Sequence, residues 1–146
     1  MKAGVLVILT VVCLVGNLRS STGDHVHQCE DPKLVRSWVD MPLGEPEGVW
    51  FIEKSVYRSG DRIALGIMQG FTQDELRDSA RLEKILALIR LSFSQPSLIS
   101  YEEDRNPRAT LILLYFLEHE FKEGELRQKV LDTEKYVSDQ TEGRRR

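Results

Sequence analysis

The stretch His25-Val26-His27-Gln28-Cys29 holds two of the chain's three histidines and one of its two cysteines. Imidazole and thiolate suit zinc and copper, so His25, His27 and Cys29 define a candidate metal site for Cu or Zn. If processing leaves Gly23 first, His25 becomes the third residue. A free amine, two backbone nitrogens and that imidazole then make a square-planar set for Cu(II) or Ni(II). The competing reading is a polar arm that binds nothing, because the ligands are few.

Other chemistry is sparse. His119 begins His119-Glu120-Phe121-Lys122-Glu123. A zinc-protease helix needs a second imidazole one turn on, which is missing, so His119 reads as a surface helix residue. There is no glycine-rich phosphate loop and no Gly-x-Ser-x-Gly turn. Glu102 and Glu103 lie in a polar stretch, without the apolar surroundings that make a carboxyl a general acid. The chain reads as non-enzymatic. Arg77, Arg81 and Lys84 recur at i, i+4 and i+7, with Leu88 one turn further. They form a candidate partner-binding edge for an acidic receptor or a membrane surface, weighed against an ordinary solvated face.

The segment before this arm sets the compartment. Residues 1–23 have the order of a secretory signal peptide: Lys2, then the apolar run Val5 to Val15, then small polar residues. The run is shorter than the about 20 apolar residues of a membrane span, and no later stretch is longer, so no stable membrane span is expected. Cleavage would leave Gly23 or Asp24 first. It would also remove Cys13 and leave Cys29 as the odd thiol, open to an intermolecular disulfide in a Cys29-linked homodimer. Secretion is the expected fate, with the ER lumen as the alternative. The formal net charge of −3 and pI of about 5.7 give no electrostatic case for nucleic acid.

The 146 residues suit a single domain. After the signal peptide, the reading is a flexible N-terminal arm over 24–31, a helical domain over 32–138 and a polar basic tail over 139–146. Asp31-Pro32 predicts a capped helix over about 32–40. Residues 49–69 have two readings. One is a pair of helices, about 48–57 and 61–69, the second capped by Asp61 and ended by Gly70. The other is a β-hairpin, in which Ile63, Leu65 and Ile67 alternate and Arg58-Ser59-Gly60-Asp61 turns.

Thr72-Gln73-Asp74-Glu75 is a capping box that opens a helix from 73 to about 93. Leu82, Ile85, Leu86, Ile89 and Phe93 form its main apolar face, and Leu76, Ala80, Ala87 and Leu91 a second. Asn106-Pro107 reads as cap and first residue of a buried helix of about 107–122, because Leu111 to Leu117 is apolar on every side. A last helix, about 125–138, carries Leu126, Val130, Thr133 and Val137 on one stripe. Leu82, Ile85, Leu86, Ile89, Leu113, Leu114, Phe116 and Leu117 are the expected core.

The fold class is therefore all-α, a small compact helical bundle, with α+β as the alternative if 49–69 is a hairpin. The expected function is that of a secreted signalling or modulatory factor that binds a protein partner or receptor. Two alternatives are an extracellular lipid or small-ligand carrier and a precursor of a C-terminally amidated peptide. The second rests on Gly143-Arg144-Arg145-Arg146.

Overall fold

The computed structural model describes residues 29–40 and 54–142, and every regular element among them is helical. Helix α1 spans Pro32–Asp40. Its start follows from the sequence: the Asp31 carboxylate accepts from the Lys33 N–H at 2.9 Å, and proline takes the first helical position. Val35, Trp38 and Val39 face inward, while Leu34 is exposed.

Residues 54–59 are helical, and α2 follows over Arg62–Gly70. The hairpin reading is thereby overturned, and with it the α+β alternative. The alternation of Ile63, Leu65 and Ile67 is not a strand's signature here, because Ala64, Gly66 and Met68 between them are buried as well. A segment covered on nearly all sides carries no reliable period. The turn between the two helical stretches belongs to Gly60, whose φ of +53° is left-handed and where an added Cβ would meet the Asp104 carbonyl oxygen at 2.3 Å.

One turn apart on α2, Gly66 and Gly70 let the start of α1 lie close. A Cβ on Gly66 would stand 2.7 Å from Val35 Cγ2, and one on Gly70 would stand 2.9 Å from the Pro32 carbonyl oxygen.

The capping box is present as predicted: Thr72 Oγ1 accepts from the Glu75 N–H, and the Glu75 carboxylate accepts from the Thr72 N–H, both at 3.2 Å. The helix it opens, α3, covers only Gln73–Leu76. Asp78 breaks the expected continuous helix. Its backbone is extended and its side chain accepts from the Ala80 N–H at 3.1 Å, which starts α4 over Ser79–Ser94. The competing local cap ends one helix and begins another.

Two 3₁₀ turns, Pro96–Leu98 and Glu102–Arg105, lead to α5 over Arg108–Glu120. Gly124, with φ of +104°, leads into α6 over Glu125–Glu142. That helix runs a turn beyond the expected end at 138, into the segment read as tail.

The core sits where α4 meets α6, α1 and α2, and where α5 meets α2 and α6. Leu82, Ile85, Leu86, Ile89, Phe93, Leu113, Leu114 and Leu117 are buried as expected; Phe116 is half-buried. Each such Leu, Ile or Phe contributes about 1.5–3 kcal/mol of burial. The second apolar face expected on α4 is not a core face: Ala80 and Ala87 are exposed and Leu91 is half-buried, although Leu76, now on α3, is buried. Among the described residues no helix is long and apolar enough to cross a membrane.

Candidate interaction surface

The most deeply buried polar chemistry surrounds Asp61, which is 0% exposed. From the sequence, this residue caps α2. In the structure its side chain makes no cap to α2 and reaches the start of α5 instead. Its carboxylate accepts from the Ala109 N–H at 3.0 Å, the Thr110 N–H at 2.8 Å and the Thr110 hydroxyl at 2.7 Å. Pro107, at the N-cap position of α5, has no side-chain acceptor to offer, and Asn106 does not cap the helix as the sequence implied. A carboxylate at a helix N-terminus satisfies orphan amides and opposes the positive end of the helix dipole.

Asp61 is held in turn: its N–H donates to the Asp104 carbonyl at 2.9 Å. The Asp104 carboxylate lies 3.0 Å from Arg62 Nε. Arg62 also faces Glu30 at 3.6 Å and covers the Tyr101 ring at 5.3 Å. The Ser59 hydroxyl donates to Glu30 at 2.9 Å. Both Asp61 oxygens accept from helix donors inside the fold, so the cluster holds helix ends together.

The predicted edge at Arg77, Arg81, Lys84 and Leu88 is partly drawn inward. Arg77 donates to Glu120 through Nε at 3.0 Å and pairs with Asp74 at 3.5 Å. Arg81 faces Glu75 at 3.5 Å and Asp40 at 3.6 Å, and its guanidinium lies 5.7 Å from the Phe71 ring centroid. Arg36 crosses the same ring at 5.1 Å, donates to the Gly70 carbonyl at 2.9 Å and pairs closely with Glu75. The hydrogen bond from Arg36, with help from the Thr72 N–H, lowers the Glu75 pKa to about 2. The same bond raises the pKa of Arg36. Lys84 is half-buried and Leu88 is only 8% exposed, so the leucine belongs to the core.

Of the predicted metal set, His25 and His27 lie outside the described residues. Cys29 is half-buried, and its thiol donates to the Glu30 carbonyl at 3.1 Å. Among the described residues no group of three or more His, Cys, Asp or Glu side chains could hold a metal ion. The signal peptide and the Gly143–Arg146 end also lie outside the described residues.

A surface that the sequence reading missed lies on the outer side of α5. The run Leu111 to Leu117 reads as buried on every side, yet Ile112 is 39% exposed and Tyr115 is 61% exposed. The main packing partners of α5 are α2 and α6, which leave a third side open. Arg108, Ile112, Tyr115 and His119 recur at i, i+4, i+7 and i+11 on that side, and all four are exposed. Leu111 and Phe116 border it, partly buried against the core. The His119 ring leans on Tyr115 with centroids 4.2 Å apart, and its Nδ1–H donates to the Tyr115 carbonyl at 2.8 Å. The run Leu111 to Leu117 was the only signal in the sequence, and it pointed to burial.

Compared with protein-family models, curated proteins and solved structures, the chain matches none.

Proposed function

We propose that this protein is a secreted, non-enzymatic factor, a small helical bundle that acts by binding another macromolecule in a signalling or modulatory role. The observation that carries the reading is the open side of α5, where Ile112 and Tyr115 are large apolar neighbours on one helix face. Adjacent exposed apolar groups on one helix face are a feature of binding surfaces. The non-enzymatic part rests on the sequence, which has no glycine-rich phosphate loop and no Gly-x-Ser-x-Gly turn. The signal-peptide pattern of residues 1–23 supports export.

The test has two parts. Full-length protein expressed through a secretory host should appear in the medium with Gly23 or Asp24 first, read by intact mass and N-terminal sequencing. That material, fluorescently labelled, should bind responsive cells saturably and be competed by unlabelled protein. Recovery of the uncut chain in cytosol, or binding that stays linear and uncompeted, overturns the proposal.

A further inference from the structure

We infer that the open side of α5 is a docking site for an amphipathic helix of a protein partner whose apolar stripe is bordered by carboxylates. The inference rests on the binding role proposed above and names the surface and the kind of partner. Ile112 and Tyr115 supply the apolar centre, with Leu111 and Phe116 at its margins. An apolar helix face beside another helix is a common mode of peptide recognition.

Charge decides the sign of the partner. The stripe Arg108, Ile112, Tyr115, His119 contains no carboxylate. The acids of α5 lie beside it and already have counter-charges. Glu118 faces Arg127 at 3.4 Å, and Glu120 pairs with Arg77 at 2.9 Å while accepting from Gln73 at 2.8 Å. Arg108 is exposed, and no carboxylate among the described residues pairs with it. The helix thus matches its own acids internally and leaves its one arginine to solvent. A carboxylate brought by a partner supplies the missing opposite charge, whereas a lysine in the same place is repelled.

The probe is a synthetic amphipathic helix of about five turns, with a leucine stripe bordered by glutamates. A second peptide replaces those glutamates with lysines. Titrated by fluorescence anisotropy against the full chain, the acidic peptide should bind at least about tenfold more tightly. Ile112→Asp and Tyr115→Glu, at exposed positions, should each weaken it by about tenfold or more with the helical circular dichroism unchanged. Arg108→Glu should abolish or invert the preference between the peptides. Ile112→Asp should also abolish saturable cell binding.

Equal affinity for the two peptides overturns the inference. So does tighter capture by phosphatidylserine vesicles, or a self-association that Ile112→Asp dissolves. If Ile112→Asp and Tyr115→Glu bind cells as the unmodified protein does, the α5 site is wrong while the binding role stands. If the unmodified protein also fails to bind saturably, the binding role itself is wrong.

Discussion

Helices α3 and α5 begin in opposite ways. The start of α3 is local: Thr72 and Glu75, three residues apart, satisfy each other's amides at an exposed edge. The start of α5 is remote: its amides are satisfied by Asp61, 48 and 49 positions earlier and fully buried. A local cap competes with water and contributes modestly. A buried remote cap cannot be replaced by water, so its removal leaves donors unsatisfied in the interior. The first device fixes where one helix begins. The second ties two parts of the chain together.

Four substitutions test the two kinds of helix start. Gly60→Ala should be the most damaging. It places a Cβ against the Asp104 carbonyl in a left-handed backbone, and so strains the turn that aims Asp61. The expected loss is about 3–4 kcal/mol in urea unfolding followed by circular dichroism. Asp61→Ala should cost about 2–3 kcal/mol, from buried donors left unpaired at Ala109 and Thr110. Thr72→Ala should cost about 1 kcal/mol, the usual worth of an N-cap side chain. If Asp61→Ala is no worse than Thr72→Ala, the distinction between remote and local caps fails.

The smallest effect concerns pH. The Glu75 carboxyl has a pKa of about 2 in the folded protein against an ordinary value of 4.5, chiefly through the Arg36 hydrogen bond. A depressed folded pKa means that protons bind the unfolded chain more readily. The stabilisation is therefore fully present above about pH 4.5 and is lost as pH falls toward about 2. Glu75→Gln should flatten the melting-temperature profile across that window and leave its shape above it unchanged. An unaltered acid limb in Glu75→Gln would remove the carboxylate from this role.

Much of the helical pattern was legible in the sequence because its signals are short-range. Asp31-Pro32 starts α1 as read, and the Thr72–Glu75 box is where the spacing put it. The failures share a physical cause. Asp61 looks like a local cap of α2, but its acceptors go to the unsatisfied donors the fold brings near, at the start of α5, which Asn106 beside it does not cap. Asp78 is an equally good cap, and it divides the helix that periodicity alone would run through. The Ile63–Ile67 alternation could not discriminate strand from helix once both sides of α2 were buried.

The candidate surface was harder to read than the fold. A basic stripe read along one helix invites a partner, yet Arg77 falls before α4 and pairs with Asp74 of α3 and Glu120 of α5, while Arg81 meets Glu75 and Asp40. Conversely, the apolar run of α5 invites burial, yet two of its residues remain at the surface. Hydropathy states what a side chain prefers. It does not state how many neighbours its helix will have.

Most helix starts and the residues of the main core could be read from residue order alone, because capping and the 3.6-residue period act within a few positions of each other. Packing settled which carboxylate caps α5, which arginines are neutralised and which apolar face stays open. Those outcomes depend on groups dozens of residues apart meeting in space, where burial makes an unmatched donor or charge costly.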